Sequence, residues 1–355
     1  MATTVFAATG SGYYSVDQFL VRNPEQREIM NAFSKGVHNE VVKSDKTEYL
    51  KDVKISFLYP GIQVSDYWKR STDSFTARLD EYGVEFEIGK FFMRPTEGLR
   101  TQMKHLEHAL ESDPDYLVFT LDVRRHLKMI EPILIKGRPK LILQNITTPL
   151  IELKGRQPFL YVGFDHVTGS RMLADYYIKK TGGVGSYGAV LPRRGYLSQM
   201  RGDSFIDYVS NKSELKIAAR YYSGIDRQKA RKATLDMVRV NPDLKFIYAA
   251  STDIAFGVLD GLKEAGMEDK GVLVNGWGGG SAELEAIEAG KLSVTVMRIN
   301  DDNGVAMADA VIKDIRGQAK EVPVVYSGGF ALVQKGISKQ LLNKLKQNAF
   351  RYSGM

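Results

Sequence analysis

Short apolar runs alternate with helical patterns along the first half of the chain. Runs of strand length occupy 55–59, 84–88, 116–121 and 141–144, and helical patterns such as 95–110 lie between them. Strands that are apolar on both faces and separated by helices are typical of a parallel, doubly wound sheet. The pattern therefore predicts an α/β fold.

A second alternation of the same kind follows the first. Its helical patterns include 169–180 and 254–265, and its apolar runs are 159–164, 187–191, 215–222, 246–250, 272–274 and 294–297. Two successive α/β units in one chain predict a protein with two lobes.

The last part of the chain adds pieces that can join the lobes. A helical pattern covers 302–316, strand-like runs cover 324–326 and 330–333, and a terminal helix covers 338–349. If these pieces cross back between the lobes, three crossings form a flexible hinge. The predicted lobes are 1–146 plus 300–326 and 147–299 plus 327–355, with 1–52 as a helical N-terminal arm of the first lobe.

The start and the end of one helix in this arm can be predicted. Asn23, Pro24 and Glu25 form a helix start, with proline at the first helical position, and Gly36 is the expected stop. We expect the arm to pack on the body of the protein.

Composition narrows the class of protein. The 355 residues are 43% hydrophobic and 26% charged, as in an ordinary globular protein, and they include no cysteine, which excludes disulfides and thiolate chemistry. No apolar run is long enough to cross a bilayer. The net charge of +7 is scattered, which disfavours a nucleic-acid surface.

The first twelve residues do not form a secretory signal, so the chain is either cytoplasmic or shown without its signal.

The motifs for catalysis, cofactors and metals are weak. The segment 183–188 has the glycine spacing of a dinucleotide fingerprint but stands before a strand, so we interpret it as a turn. His105 and His108 share a helix face, where exposed side chains are a better interpretation than metal ligands. No nucleophile and base set emerges. We therefore expect no enzyme activity, no metal and no cofactor.

Polar and aromatic side chains follow the strands of both units. Open parallel sheets bind ligands at the carboxyl ends of their strands, so these side chains predict a clamp for one small polar ligand. The two tryptophans are suited to stacking on a cyclic polyol, and the two arginines to an anion. The candidate residues are Gln63, Ser65, Trp68, Asn145, Arg201, Thr252, Asp253, Trp277 and Arg298.

Structural roles remain open for several of these residues. Ser65 and the segment 251–253 can cap helices, and Trp68 can belong to the core. Trp277 lies among glycines, where we expect an exposed ring. Arg298 can be neutralised by Asp302 or Glu283 instead of by a ligand.

The chain resembles the LuxP-type autoinducer-2 receptors, a group within the ribose-type periplasmic binding proteins. The resemblance extends from about Gly12 to Ser353. It is carried by 59–68, 141–149 (LILQNITTP), 159–165 (FLYVGFD), 201–203, 251–253, 275–284 (NGWGGGSAEL) and 296–302.

This resemblance implies a fold, a ligand and a partner. The fold is two Rossmann-like lobes of periplasmic binding protein type I, joined by three crossovers. The ligand is autoinducer-2 as a furanosyl borate diester, with borate as part of the ligand, and all the candidate residues match the contacts of this family. The partner is a membrane sensor histidine kinase of the LuxQ type in a quorum-sensing pathway, and the location is the periplasm.

Two other functions fit a bilobed fold. A ribose-like sugar-binding protein of an ABC importer shares it, although two arginines are unusual for a neutral sugar. A cytoplasmic sugar-responsive repressor would need a DNA-reading helix pair within 1–52, and that pattern is missing.

Overall fold

The first of the two sheets that the described residues form is fully parallel. The computed structural model describes residues 12–39, 52–61, 63–93, 99–121 and 126–354. The strands of this sheet are β1 Val53–Pro60, β2 Phe86–Met93, β3 Tyr116–Thr120, β4 Lys140–Gln144, β5 Leu160–Phe164 and β11 Val325–Gly328. Their spatial order is β11-β5-β4-β3-β1-β2, and each neighbouring pair is parallel.

The second sheet is parallel except at one edge. Its strands are β6 Ser186–Leu191, β7 Lys216–Tyr222, β8 Phe246–Ala249, β9 Leu273–Gly278, β10 Val294–Arg298 and β12 Phe330–Gln334. Their order is β12-β10-β9-β8-β6-β7, with β12 antiparallel to β10. Each sheet is the centre of one lobe.

Helices connect the strands and cover both sheets. They are α1 Val16–Arg22, α2 Glu25–Val37, α3 Tyr67–Tyr82, α4 Leu99–Leu110, α5 Leu127–Lys136, α6 His166–Thr181, α7 Ser204–Lys212, α8 Arg227–Val240, α9 Thr252–Glu264, α10 Ser281–Glu288, α11 Asp301–Ile315 and α12 Lys339–Ala349. The caps explain several boundaries: the Asp165 side chain accepts from the amides of Val167 and Thr168 at the start of α6, and Gly83 ends α3 in a left-handed conformation.

Each sheet has apolar layers on both faces. In the first lobe, α3 and α11 pack on one face, and α4 and α5 pack on the other. In the second lobe, α8, α9, α10 and α12 cover one face, and α6 and α7 cover the other. These two layers explain why strands such as β3 and β5 are buried at every position and consist mostly of apolar residues.

Within the described residues, three crossings connect the lobes, and the C-terminal tail returns to the first lobe after α12. The chain passes from β5 to α6, from β10 to α11 and from β11 to β12, and all three crossings are short. The predicted fold, two α/β lobes of the periplasmic binding protein type, is confirmed. The predicted first boundary at 146/147 was wrong, because β5 pairs with β4 and β11 and so belongs to the first lobe. The chain passes from one lobe to the other at Asp165, and again within 298–301 and within 328–330.

The part of the N-terminal arm that the structure describes contains two helices, α1 and α2. Pro24 immediately precedes α2, close to its predicted position, but Gly36 lies inside this helix and does not stop it. Gly36 is not in a left-handed conformation, so α2 continues to Val37. The helix packs on α11 and β11 of the first lobe. The remainder of the predicted arm, 1–11 and 40–51, and the start of the helix predicted over 95–110 lie outside the described residues.

Candidate functional site

A small cavity lies between the lobes, at the carboxyl ends of the strands. All the candidate residues predicted from the sequence line it. The volume open to the centres of water molecules is about 50 Å³, enough for only a few waters at roughly 10–15 Å³ each. The remaining lining residues, which sequence reasoning missed, are Pro60, Tyr67, Thr120, Leu121, Leu197, Ile225 and Ser251.

The segment after β1 forms one wall of this cavity. Trp68 Nε1 donates to Gln63 Oε1 at 3.3 Å, and the Trp68 ring lies against the rings of Tyr59 and Tyr67, each with its centroid at 4.7 Å. Ser65 Oγ accepts from the Tyr67 amide at 3.4 Å, so it also supports the start of α3. Ser65 therefore helps to cap α3 and Trp68 packs on other aromatic rings, and both also form part of the cavity wall.

Asn145 follows β4 in a left-handed backbone conformation, with a φ of 67°. Asparagine tolerates this region better than most residues. Its carbonyl accepts a hydrogen bond at 3.1 Å from Nε2 of His166, and its Oδ1 is buried without a partner among the described residues. Burial and the two nearby arginines lower the pKa of His166, so the imidazole stays neutral.

The start of α9 contributes a carboxylate to the opposite wall. Ser251 Oγ accepts from the Ile254 amide at 3.4 Å and so caps the helix, which leaves Asp253 available for other bonds. Asp253 Oδ1 accepts from the Val64 amide of the first lobe at 3.1 Å, while its Oδ2 is buried without a partner in the described chain. Burial raises the pKa of Asp253. This carboxylate can accept a hydrogen bond from a ligand hydroxyl.

Two buried arginines enter the cavity from the second lobe. Arg201 lies in a π-helical turn before α7, and its Nη1 donates to the Ala250 carbonyl at 2.8 Å. Arg298 ends β10. The Nε of each arginine has no partner among the described residues, and neither forms an ion pair with a carboxylate there. Burial lowers the pKa of both groups, but a guanidinium stays charged at neutral pH.

The two carboxylates considered as partners of Arg298 are engaged elsewhere. Asp302 lies 2.8 Å from Arg351 Nη1 and 3.4 Å from His38 Nε2. Glu283 accepts from the amides of Trp277 and Gly279 at 2.9 and 2.8 Å and from the Thr295 hydroxyl at 2.6 Å. Neither carboxylate forms a direct ion pair with Arg298 among the described residues. The charge of Glu283, like that of Asp66, nevertheless raises the pKa of Arg298 against the larger effect of burial.

Trp277 is buried and not exposed. Only 1% of its surface is exposed, because the Arg201 guanidinium lies 3.7 Å from the ring centroid and His166 and Phe330 pack beside it. The expectation of an exposed ring was wrong, because helix α6 covers the ring at Gly169, where a Cβ would lie 3.0 Å from it, and the Arg201 guanidinium covers it as well. Trp277 supports Arg201 by a cation–π contact.

Tyr67 was missed by sequence reasoning although it supports the other arginine. Its ring lies 4.4 Å from the Arg298 guanidinium, and its hydroxyl accepts from Gln144 Nε2 at 3.2 Å and from Asn303 Nδ2 at 2.7 Å. From the sequence alone, a tyrosine in the first turn of a helix looks like an ordinary core residue. Its position directly before Trp68, in a segment already assigned to the site, was the available signal.

The remaining features considered from the sequence lie outside the cavity. The 183–188 segment runs from the loop after α6 into β6 and places no helix N-terminus over its glycines. Within the described ranges, no group of three or more acidic or histidine side chains is arranged to hold a metal ion. Among the described helices, none is long and apolar enough to span a bilayer.

Comparison with known proteins identifies the family. The chain belongs to the periplasmic binding protein domain family, whose model matches residues 55–319. It is 28% identical over 167 residues to the ribose import binding protein RbsB of Salmonella typhimurium, covering 45% of this chain and 54% of that protein. It is 25% identical over 258 residues to the D-allose-binding periplasmic protein of Escherichia coli, covering 71% and 81%. The chain thus matches about half the length of RbsB, and both relatives are named as binding proteins.

Solved structures share the fold. A solute binding protein from Agrobacterium vitis bound with alpha-D-tagatopyranose has a TM-score of 0.72 at 16% identity, covering 82% of this chain and 98% of that one. The fructose binding periplasmic domain of a hybrid two-component system has a TM-score of 0.70 at 18% identity, covering 84% and 99%. The chain is therefore similar to sugar-binding proteins of the ribose and allose type.

Proposed function

We propose that this protein binds a small, anionic, polyhydroxylated ligand in the cleft between its lobes, and that this ligand is autoinducer-2 as its furanosyl borate diester. The observation that carries the proposal is the pair Arg201 and Arg298, both buried and both without a carboxylate partner in the described chain. The resemblance to LuxP-type receptors supplies the identity of the ligand.

The charge balance of the cavity supports an anion. Removing a cation from water is costly unless a counter-charge or hydrogen bonds compensate it. Here the compensation comes from the aromatic faces of Trp277 and Tyr67, from the Ala250 carbonyl and, for Arg298, from the nearby charges of Glu283 and Asp66. A borate anion placed between the guanidinium groups adds charge-assisted hydrogen bonds, which a neutral sugar does not supply. Asp253 and Asn145 then remain available for the hydroxyls of the ligand.

A ribose-like sugar bound on behalf of an ABC importer is the second candidate. The names of the relatives favour this function, since they are binding proteins for ribose and allose. The Asp253 carboxylate and the Asn145 amide oxygen are also the groups that recognise sugar hydroxyls. The two candidates differ in the sign of the ligand charge, and that difference can be measured.

Replacing either arginine by methionine tests the proposal. Arg201→Met and Arg298→Met each remove one charge-assisted interaction from a desolvated site, which costs about 2–5 kcal/mol, or about 30-fold to several thousand-fold in affinity for a borate diester. The measurement is calorimetry with autoinducer-2, with and without borate, and with ribose. Arg231→Met is the matched control, because Arg231 pairs with Glu264 on the surface of the second lobe, away from the cavity.

The same titrations separate the two candidates. Wild-type affinity should rise with borate, and ribose should bind weakly to all four proteins. Affinity that is indifferent to borate, tight ribose binding and small losses in both variants would support the sugar-import alternative instead.

We propose a periplasmic location and a protein partner, a membrane sensor histidine kinase of the LuxQ type. The family assignment supports the location, and one structural neighbour is a periplasmic domain of a hybrid two-component system. The permease of an ABC importer is the partner that the sugar alternative requires. The proposal expects surface plasmon resonance to detect binding to the periplasmic domain of such a kinase; tight, sequence-selective binding to duplex DNA at physiological salt would contradict it.

A further inference from the structure

A polar contact closes the mouth of the cleft beside the cavity. Asp66 of the first lobe accepts through Oδ2 from the Ser281 amide at 3.2 Å and from the Ser281 hydroxyl at 3.0 Å, across the gap to the second lobe. Arg70, one turn along α3, donates from Nε to the same Oδ2 at 2.7 Å and from Nη2 to Ser281 Oγ at 2.9 Å. The three side chains form a closed ring of hydrogen bonds that exists only when the lobes meet.

The residue before Ser281 permits this approach. A Cβ on Gly280 would lie 2.2 Å from Asp66 Oδ1, and its three nearest atoms would all belong to Asp66. Gly280 has a φ of −71°, which any residue adopts, so the requirement for glycine comes from the other lobe and not from the local backbone. A side chain at this position therefore opposes closure without straining the lobe that carries it.

Arg70 also holds the C-terminal tail. Helix α12 packs in the core of the second lobe, and the chain then returns to the first lobe. Arg70 Nη1 donates to Ser353 Oγ at 2.9 Å and to the Gly354 carbonyl at 2.6 Å, and its guanidinium lies 3.8 Å from the Phe350 ring. One buried side chain thus connects the mouth of the cleft to the tail.

We propose that Asp66, Arg70 and Ser281 form a closure latch, in which Arg70 is a positioning residue that aims Asp66 at Ser281 and couples closure to tail residues 353–354. Arg70 does not line the cavity, so it acts on the ligand only through the position of the lobes. The inference rests on the proposed function in one respect: a ligand that touches both lobes favours the closed state, and the latch adds to its affinity.

Gly280→Ala is the sharpest test. The chain has no cysteine, so Lys69→Cys on α3 and Glu285→Cys on α10 give a pair of spin-label sites that flank the latch. We expect Gly280→Ala to lengthen the distance between the labels and to weaken ligand binding at least about tenfold. Asp66→Ala removes the clashing group and the latch together. The double variant Gly280→Ala, Asp66→Ala should therefore bind no more weakly than Asp66→Ala alone.

The coupling to the tail has its own test. Removal of residues 353–355 should weaken ligand binding several-fold in the wild-type background and clearly less when Arg70→Met is already present, because only the bond from the Ser353 amide to Asp301 is then still lost. Arg70→Lys should restore part of the loss, because it retains the charge beside Asp66. Arg231→Met again serves as the control for loss of an arginine ion pair within a single lobe.

These experiments test the closure latch separately from the identity of the ligand. Titrations use autoinducer-2 with borate and, separately, ribose, and the latch predicts the same losses for whichever ligand binds. If neither binds wild type, the proposed function fails, and the latch is then judged from the distances in ligand-free protein, where Gly280→Ala should still lengthen them. Unchanged distances, or additive effects of Gly280→Ala and Asp66→Ala, would overturn the latch.

Discussion

At the scale of single residues, the aromatic rings beside the buried arginines determine where the two cationic groups lie in the cleft. The Arg201 guanidinium lies over the Trp277 ring, and the Arg298 guanidinium lies over the Tyr67 ring. Each guanidinium therefore has one face against a ring, and its edge points away from that ring. Hydrogen bonds from a guanidinium leave from its edge. The rings therefore hold the charges in the cleft while the Nε groups stay available to a ligand.

His38 should make stability depend on pH. Its hydrogen bond to Asp302 raises the pKa of His38 above the ordinary value of 6.5. The folded state therefore favours the imidazolium, whose stabilisation is complete below pH 6.5 and is lost as the pH rises through the raised value. The difference in unfolding free energy between wild type and His38→Gln should be larger at about pH 5.5 than at about pH 8.5.

Urea unfolding of the two proteins across this range measures that difference. The buried His166, whose pKa is lowered, gives the opposite dependence, but it is present in both proteins and cancels. A difference that stays constant with pH would show that the contact between His38 and Asp302 has no ionic character.

At the scale of elements, two glycines inside helices should respond in opposite directions to alanine. A Cβ added to Gly36 in α2 would have nothing within 4 Å among the described residues, so Gly36→Ala should stabilise the protein by up to about 1 kcal/mol through helix propensity. A Cβ on Gly257 in α9 would lie 2.3 Å from the Arg227 carbonyl of α8. Gly257→Ala should therefore destabilise by about 1–3 kcal/mol, and chemical denaturation of both variants checks the two signs.

The sequence located most elements and the walls of the cavity because both follow from strand ends. In a parallel sheet, a polar residue within a few positions of the end of an apolar run lies at the ligand-binding edge, as Asn145 and Asp253 do. Contacts between segments that are far apart in the sequence could not be predicted from it. The Arg201 guanidinium packs on the Trp277 ring, and the Arg298 guanidinium packs on the Tyr67 ring. No local sequence pattern predicts either contact.

The wrong lobe boundary has a related cause. The run 159–164 is as apolar as the strands on either side of it, and periodicity does not reveal which sheet a buried strand joins. Pairing with β4 and β11 places it in the first sheet. Gly36 was misjudged in the same way, because a glycine stops a helix only where the backbone turns left-handed.

At the scale of the whole molecule, the connections between the lobes are short and the tail bridges them. The tail amides of Tyr352 and Ser353 both donate to Asp301 Oδ2 at 2.7 Å, at the start of α11 beside the second crossing. Movement of one lobe against the other must therefore be absorbed by the three crossings and accommodated by the tail. The ligand cavity, the latch and the tail all lie close to this hinge system.

Ligand binding should close the lobes. The cavity walls come from both lobes, with Gln63 and Asn145 on one side and Arg201 and Asp253 on the other. A ligand that contacts both walls binds the closed state more tightly and shifts the population toward it. Small-angle scattering should therefore give a smaller radius of gyration with saturating autoinducer-2 and borate than without ligand. Arg201→Met at the same ligand concentration should show a smaller decrease, because the variant is less occupied, and an unchanged wild-type profile at saturation would place the ligand outside the cleft or show a cleft that is closed throughout.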